Sequence, residues 1–296
     1  MGKSMKQFKL IDNTFSYTGT CDLGKQNGYL ALNRFPKHVE WVHEGFNNHV
    51  ETFRKLESTD ETFYTERLIQ LGLDDRISAK KYGWLIEPRW YNPMTVEIKR
   101  NPEPYIKAYD AIFTHDKELL DIDPTFKFVF GQGSIIEEVG VFEKTKLVSC
   151  IVSDLQMSDG HKFRLEIANQ IADSGEVDMY GKAFNFIPRK IDAVKDYMFS
   201  FAMENSCYES YFTEKLHDCL LTGTIPVYLG APDIGDFYNL DGIIVMERDD
   251  EGNVIFDSEV LTEEYYYDHL DAVKDNYNRV LETQTAEDFM YINYFQ

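Results

Sequence analysis

Residues 199–230 constrain the fold of this chain most strongly, because they predict a strand, a polar loop, a helix and a second strand in immediate succession. Phe199, Phe201 and Met203 alternate with smaller or polar residues, as in a short strand. Residues 225–229 form a continuous apolar run, which is typical of a buried parallel strand. A β-loop-α-β unit of this kind belongs to an open α/β sheet, in which ligands bind beyond the carboxyl ends of the strands.

The helix predicted inside this segment begins next to Thr213, a favourable N-cap residue. Free N–H groups and the helix dipole favour phosphate at such an N-terminus. Lys215 in the first turn can add a positive charge, and Glu214 can accept hydrogen bonds from sugar or ribose hydroxyls. Asn205 and Tyr211 offer further polar contacts from the loop. Taken alone, Glu214 and Lys215 also fit an ordinary solvated first turn.

A second strand and helix of this kind lie upstream. Residues 147–152 predict a strand, and Phe163, Ile167 and Ile171 are spaced as the apolar face of a helix that carries Arg164. Because a guanidinium fork matches the oxygens of a diphosphate, Arg164 could bind the same anion as the downstream helix. A surface position on the helix is the alternative for this arginine.

Three consecutive motifs resemble the signature of glycosyltransferase family 10, the α-1,3/4-fucosyltransferases. They are Glu204-Asn205-Ser206, Tyr211-Phe212-Thr213-Glu214-Lys215-Leu216 and Ile225-Pro226-Val227-Tyr228-Leu229-Gly230. Ser153, Arg164 and residues 177–182 resemble a further segment of the same family.

The resemblance implies a GT-B fold, an α/β architecture of two Rossmann-like domains with parallel sheets that face each other across a cleft. It implies inverting transfer of fucose from GDP-fucose to a hydroxyl of an acceptor glycan, with no cofactor and no metal site. Residues that match donor-binding positions of the family are Arg164, Asn205, Tyr211, Glu214 and Lys215.

An inverting transfer needs a carboxylate that takes the proton from the acceptor hydroxyl. The resemblance implies a glutamate just after a strand of the first domain, and Glu87 follows the predicted strand 82–86. The family's usual Gly-Glu-Asn is replaced here by Ile-Glu-Pro, and a solvated or salt-bridged glutamate at a strand end is the other interpretation of Glu87. Glu40 and Glu44 are alternative bases.

Aromatic and histidine residues of the N-terminal half allow several interpretations. His38, His43 and His49 surround Trp41, and with Glu44 they could line an acceptor site or bind a metal, although an amphipathic surface helix also explains their spacing. Three tryptophans could stack on acceptor sugars or pack in a core, namely Trp41, Trp84 and Trp90.

The order of predicted elements divides the chain into an acceptor domain, 1–146, and a donor domain, 147–296. In the first domain we expect strands near 6–11, 84–86, 111–114 and 127–130 and a helix over 61–71. In the second we expect strands near residues 147, 199, 225 and 243, a helix that Thr262 opens and that runs to about residue 282, and a last helix over 286–294. The terminal helices, about 262–296, can pack back on the first domain.

The charge of the chain excludes some partners. The 51 acidic and 30 basic residues give a net charge of −21, which argues against a nucleic-acid-binding protein and against attachment to anionic membranes. The chain has neither a signal-peptide-like start nor a long apolar run, and its four cysteines form no C-x-x-C pair. We therefore expect a soluble cytoplasmic enzyme of bacterial or viral type, with a nucleotide sugar and a glycan or glycoconjugate as its ligands.

Two other functions fit the sequence. One is a transferase of the same fold that uses GDP-mannose or a UDP-sugar. The other is a non-catalytic protein that binds a carbohydrate or nucleotide sugar, which the altered surroundings of Glu87 would favour.

Overall fold

The computed structural model describes residues 5–11, 36–43, 57–249 and 251–296. By its internal contacts the chain forms two compact units. Unit 1 contains the described residues up to Gln132 together with Thr285–Gln296, and unit 2 contains Gly133–Gln284. The domain boundary expected after residue 146 stays a prediction. In the structure, residues 133–146 make their contacts in unit 2.

Strands and helices alternate along most of the described chain. The strands are β1 (Lys6–Ile11), β2 (Val39–His43), β3 (Glu61–Thr65), β4 (Lys80–Leu85), β5 (Ala111–Thr114), β6 (Phe126–Phe128), β7 (Lys146–Ile151), β8 (Asp178–Tyr180), β9 (Tyr197–Met203), β10 (Ile225–Leu229), β11 (Ile244–Val245), β12 (Glu247–Arg248) and β13 (Val254–Ile255). The α-helices are α1 (Ile69–Gly72), α2 (Pro93–Arg100), α3 (Glu103–Ala108), α4 (Lys117–Leu120), α5 (Asp159–Asp173), α6 (Glu214–Leu220), α7 (Glu263–Asp268), α8 (Leu270–Leu281) and α9 (Ala286–Tyr294). Short 3-10 helices are Glu66–Leu68, Lys190–Ala193, Ile234–Asp236, Leu240–Gly242 and Ser258–Val260.

Unit 1 is built on a six-stranded parallel sheet in the order β2-β1-β3-β4-β5-β6. Successive side chains of a strand point to opposite faces, so each strand supplies two cores. Tyr64, Leu85 and Ile112 pack with the helices on one face. On the other face the rings of Phe8 and Phe63 lie 5.0 Å apart at the centre of an aromatic cluster.

The helix predicted over residues 61–71 is wrong for residues 61–65, while residues 66–71 are helical. Residues 61–65 form β3, which is followed by a 3-10 helix and by the single turn α1. Thr62, Phe63, Tyr64 and Thr65 are β-branched or aromatic residues, which favour a pleated strand. All four are buried between neighbouring strands. Packing against those strands therefore favours a strand over a helix here, a choice that the apolar pattern alone does not make.

The last helix of the chain packs within unit 1. The Asp288 carboxylate accepts hydrogen bonds from the backbone N–H groups of Lys37 (2.8 Å) and His38 (3.0 Å), which directly precede β2. After the helix, the ring of Phe295 lies 4.8 Å from that of Phe8, in the aromatic cluster. The helix predicted over 286–294 is confirmed, and it closes the aromatic face of the sheet.

Unit 2 is built on a five-stranded parallel sheet in the order β11-β10-β9-β7-β8. The strands predicted near residues 147, 199, 225 and 243 are confirmed as β7, β9, β10 and β11. Every residue of β9 and β10 is buried, as expected for central strands that are covered on both faces.

Three of the helices of unit 2 begin at side-chain caps. Ser158 caps α5, Thr213 caps α6 and Thr262 caps α7, each through its side chain. Gly223, with a left-handed φ of +69°, ends the turn after α6. The single helix predicted from Thr262 to about residue 282 is instead two helices, α7 and α8, that meet at His269.

In the described part of the chain, no helix combines the length and the apolar character that crossing a membrane would require. The cytoplasmic location stays a prediction.

Candidate functional site

The strand order of unit 2 reverses between β7 and β9. From β7 the chain moves to β8 on one side, and from β9 it moves to β10 on the other, while β7 and β9 are neighbours. Open α/β sheets bind ligands at such a reversal, beyond the carboxyl ends of the strands. Helix α5 follows β7 and helix α6 follows β9, so the N-termini of both helices lie at this edge.

The first turn of α5 closely approaches the loop after β9. A Cβ atom added at Gly160 would lie 1.9 Å from the backbone oxygen of Asn205, which no real side chain tolerates. Glycine therefore allows the α5 N-terminus to touch the loop that carries Asn205 and Tyr211, two of the predicted donor-binding residues.

A cavity of about 310 Å³ opens at this edge. Four of the predicted donor-binding residues line it together, namely Arg164, Asn205, Glu214 and Lys215. The fifth, Tyr211, is buried and reaches the cavity through Asn205, to whose Oδ1 its hydroxyl donates a hydrogen bond of 3.0 Å. The structure thus brings residues from two separate sequence motifs to one pocket.

Arg164 contributes a buried positive charge to this pocket. The residue is 6% exposed, and its Nη2 and Nη1 donate to Ser153 Oγ (3.2 Å) and to the Met203 carbonyl (3.4 Å). Its Nε has no hydrogen-bond partner among the described residues. Burial lowers the pKa of Arg164, and the carboxylates of Glu204 and Glu214 partly offset this effect. A buried guanidinium with unused donor capacity favours an anionic ligand.

The positive charge of Lys215 is balanced by two carboxylates, only one of which is its neighbour in the sequence. Its Nζ lies 3.2 Å from Glu204 Oε2 and 3.0 Å from Glu214 Oε1. Burial on its own would raise the pKa of Glu214, but Lys215 and Lys190 outweigh it and lower that pKa to about 2. An incoming anion would therefore share Lys215 with two carboxylates.

Glu204 is a residue of the site whose role the sequence reasoning missed. It is 3% exposed, and its carboxylate accepts hydrogen bonds from both the backbone N–H and the hydroxyl of Thr213, each at 2.8 Å. Burial raises the pKa of Glu204, while Lys215 opposes the rise. Its place in the first family-like motif was the available signal. The contact fixes the end of β9 against the α6 N-terminus.

Two further basic side chains of the pocket were also missed. Lys190 lines the cavity and forms an ion pair of 2.7 Å with the buried Asp218 of α6. His161 lines it from the first turn of α5, and its Nδ1 lies 2.7 Å from Ser158 Oγ. Burial lowers the pKa of His161, and the charges of Arg164 and Lys215 lower it further. Neither residue stands in a motif that sequence spacing alone could single out.

Most of the remaining wall of the cavity is apolar, although Ser153 and Lys182 also line it. Leu155 and Phe186 are 48% and 55% exposed, although both are large hydrophobic side chains. With Ile151 and Ile187 they line the pocket beside the basic residues. A ligand with a charged part and a flat apolar part matches this division.

Glu87, the candidate base, lies in unit 1 just after β4. It is partly buried, and its backbone N–H donates to Glu66 Oε1 at 2.8 Å. Glu40 lies on β2, where it accepts a hydrogen bond from Gln7. Glu44 and His49 lie outside the described residues.

The amphipathic helix suggested around the histidines is wrong, because Val39–His43 forms strand β2. The ring of His38 stacks on Tyr291 at 5.0 Å. Trp41 and Trp84 are buried and stacked 6.3 Å apart, so both are core residues. Trp90 is 40% exposed, next to Tyr91.

Residues 141–247 match the model of a protein family described as "Glycosyltransferase family 10 (fucosyltransferase) C-term". A fucosyltransferase-like protein of Arabidopsis thaliana is 28% identical over 135 residues, which cover 44% of this chain and 25% of that protein. The human 4-galactosyl-N-acetylglucosaminide 3-alpha-L-fucosyltransferase 9 is 37% identical over 100 residues, or 30% of this chain and 26% of the relative. The chain thus spans about a quarter of the length of these relatives.

The fold extends this similarity beyond the matched segment. A crystal structure of an alpha1,3-fucosyltransferase superposes with a TM-score of 0.51 and 13% identity, covering 93% of this chain and 82% of the other. The two α/β units with parallel sheets therefore form a GT-B fold, as predicted.

Proposed function

We propose that this protein, whose residues 141–247 match the model of glycosyltransferase family 10, transfers fucose from GDP-fucose to a hydroxyl of an acceptor glycan, with inversion at the anomeric carbon. The observation that carries the proposal is the buried guanidinium of Arg164 at the edge where β7 and β9 end, with an Nε that has no partner among the described residues. A diphosphate supplies the oxygens that such a group lacks.

The pocket residues divide the donor between them. Arg164 and Lys215 hold the diphosphate and stabilise the charge that develops on it as the bond to the sugar breaks. Asn205, fixed by the Tyr211 hydroxyl, and Glu214 bind hydroxyl groups of the ribose or the fucose. The apolar wall with Phe186 suits the guanine ring of GDP.

Glu87 is the proposed base. Its carboxylate takes the proton of the acceptor hydroxyl while that oxygen forms the new bond to C1 of fucose. The bond from C1 to the β-phosphate oxygen breaks at the same time, and GDP leaves with the electron pair. The proton later passes from Glu87 to water.

Calorimetry with GDP, GDP-fucose, GDP-mannose and a UDP-sugar tests the donor. We expect GDP and GDP-fucose to bind and the UDP-sugar to bind at least about 10-fold more weakly, since a tenfold ratio corresponds to only about 1.4 kcal/mol. Tight binding of the UDP-sugar with no response to GDP would overturn the proposed donor.

Turnover tests the base. Fucose transfer is assayed first with a 4-galactosyl-N-acetylglucosaminide, the acceptor in the name of the human relative, and then with a glycan panel. We expect Glu87→Gln to lose at least about 100-fold in kcat, within the range for general-base catalysis, while the Kd for GDP stays unchanged. Glu40→Gln is the matched control and should keep the wild-type rate. A protein that binds GDP-fucose but transfers it to none of these acceptors would favour the non-catalytic alternative.

A further inference from the structure

Glu66 has a backbone conformation that few residues of its kind adopt. It follows β3 directly, its φ is +49°, and it is 4% exposed. A left-handed conformation is unfavourable for a residue with a Cβ, and burying a carboxylate is also unfavourable unless it is well hydrogen-bonded. Such strained residues cluster at functional sites.

The buried carboxylate holds the backbone of the candidate base. Glu66 Oε1 accepts hydrogen bonds from the N–H groups of Ile86 (2.7 Å) and Glu87 (2.8 Å). Its Oε2 accepts a hydrogen bond from Asn92 Nδ2, and Asn92 Oδ1 in turn caps α2 by accepting from the Met94 N–H at 2.9 Å. One carboxylate oxygen of Glu66 therefore holds the backbone at Glu87, and the other holds the side chain that caps α2.

The same segment is held from its other side. Strand β4 lies between β3 and β5, and the buried His115 follows β5. His115 Nε2 lies 3.2 Å from the Ile86 carbonyl oxygen. Next to it, Asp116 Oδ1 accepts a 3.1 Å hydrogen bond from Arg89 Nη2. Residues 86–89 are thus held between side chains that directly follow the two neighbouring strands, β3 and β5.

We propose that Glu66 is a positioning residue for the transfer reaction, which fixes the backbone at Glu87 and so aims the Glu87 carboxylate. This inference rests on the proposed role of Glu87 as the base. Glu66 itself does not touch the substrate, so it should act on kcat and leave donor binding unchanged.

A pair of substitutions can remove this support and restore it. In Glu66→Gln the new amide NH2 group meets the NH2 group of Asn92, and two donors cannot bond. In Asn92→Asp two carboxylates meet instead. The double variant pairs the amide NH2 group introduced at position 66 with the carboxylate introduced at position 92. The amide oxygen at position 66 can still accept from the N–H groups of residues 86 and 87, and the new carboxylate can also cap α2.

We expect each single variant to lower kcat by about 10- to 100-fold, since displacing a reacting group by about 1 Å can cost 100-fold. The double variant should recover to within about 5-fold of the wild type, as expected for two groups in direct contact. The Michaelis constant for GDP-fucose and the Kd for GDP should stay within about 2-fold. Hydrogen exchange of the amides of residues 86 and 87 should accelerate in the single variants and slow again in the double variant. The rate of GDP release from GDP-fucose is measured with the acceptor, which gives kcat for transfer, and without it, which gives the rate of hydrolysis by water.

Each failure has its own signature. If Glu87→Gln is inactive while Glu66→Gln and Asn92→Asp keep the wild-type kcat, Glu66 does not position the base. If Glu87→Gln itself keeps the wild-type rate, the proposed base is wrong and this inference falls with it. If the single variants weaken GDP binding as much as they lower kcat, their effect is general unfolding. Should Glu66→Gln fail to fold, Asn92→Asp and the double variant still give the comparison.

Discussion

At Arg164 the chain places a guanidinium in the interior, where the described residues use only part of its hydrogen-bonding capacity. The donors reach one hydroxyl and one carbonyl, and Nε reaches no acceptor among the described residues. Burying a charge in this way destabilises the empty protein, because the lost hydration is incompletely replaced. Stability given up at one residue in this manner is typical of a binding site.

The variant Arg164→Met separates binding from stability. We expect GDP to bind at least about 10-fold more weakly, since charge-assisted hydrogen bonds contribute about 1.5–3 kcal/mol. Guanosine, which lacks the diphosphate, should lose much less. The ligand-free variant should melt no lower than the wild type, because an apolar side chain replaces an incompletely paired charge. Calorimetry and thermal unfolding measure the two effects, and a large loss of stability would assign Arg164 a structural role.

Left-handed backbone at residues other than glycine occurs at two positions of the described chain, Glu66 and Ser210. Ser210 lies in the loop after β9, where its N–H and hydroxyl both bond to Asp233, at 2.7 and 2.9 Å. Glu66 bonds to the segment of the candidate base. The two left-handed residues thus lie beside the predicted donor-binding residue Tyr211 and beside the candidate base Glu87. Hydrogen bonds stabilise both conformations.

Among the elements, the first turn of α5 and the loop after β9 approach each other very closely. Gly160 permits contact with the Asn205 backbone that a methyl group would prevent. The distance between the two helix N-termini, and with it the width of the pocket, depends on this contact.

We therefore expect Gly160→Ala to weaken GDP binding by about 10-fold or more and to destabilise the protein by about 1–3 kcal/mol, as overpacking does. Gly140→Ala is the matched control, since the nearest atom to a Cβ there is 3.6 Å away. It should change neither quantity. Calorimetry and denaturant unfolding measure both, and equal effects of the two variants would contradict the importance of the junction.

Helix α9 carries a buried carboxyl group, Glu287, whose ionisation makes the stability of the fold depend on pH. Glu287 is 6% exposed and accepts a hydrogen bond from Trp41 Nε1 at 3.3 Å. Burial raises its pKa from 4.5 to about 7, although the hydrogen bonds that it accepts lower it somewhat. The folded state therefore binds this proton more tightly than the unfolded state, and the associated stability is lost as pH rises from about 4.5 through 7.

Glu287→Gln mimics the protonated carboxyl at every pH. Relative to the wild type, we expect its free energy of unfolding to improve with rising pH, by at most about 3 kcal/mol between pH 4.5 and 8. Denaturant titrations across this range measure the difference. A difference that stays constant with pH would mean that folding does not raise the pKa of Glu287.

The elements themselves could largely be predicted, and the errors have physical causes. Helices α5 and α6 were predictable because their caps and apolar spacing agree. Residues 61–65 were misassigned because an apolar run does not reveal whether its neighbours are strands. Strand β2 was likewise missed because the spacing of His38, His43 and His49 in the sequence also fits a helix. Long-range contacts, such as the bond between Trp41 and Glu287, leave no local pattern in the sequence.

For the whole molecule, a charge of −21 opposes the approach of an anionic ligand, and the basic side chains of the pocket counter this repulsion locally. The sequence could predict which residues meet there, because they stand in recognisable motifs. It could not predict that Glu204 and Glu214 both pair with Lys215, since this depends on how β9 and α6 meet. The roles of the site residues stay predictions.

Metal independence is a further prediction at this scale. The described residues contain no group of three or more His, Cys, Asp or Glu side chains placed to hold a metal ion. Since Arg164 and Lys215 can stabilise the departing diphosphate, we expect fucose transfer to keep its rate in excess EDTA and to gain less than about 2-fold from added Mg²⁺ or Mn²⁺. A loss of activity with EDTA that Mn²⁺ restores would contradict this.

The position of α9 also has a consequence for synthesis on the ribosome. The partners Trp41 and Glu287 lie 246 residues apart, so at about 5–20 residues per second the first would wait roughly 12–50 s for the second to be made. Throughout that interval the aromatic face of the β1–β6 sheet lacks the cover that Phe295 and its helix provide. Gly133–Gln284, by contrast, is complete before α9 is translated. We therefore expect the nascent chain to fold from its middle outward, with the first-made strands finishing last and relying on chaperones in the meantime.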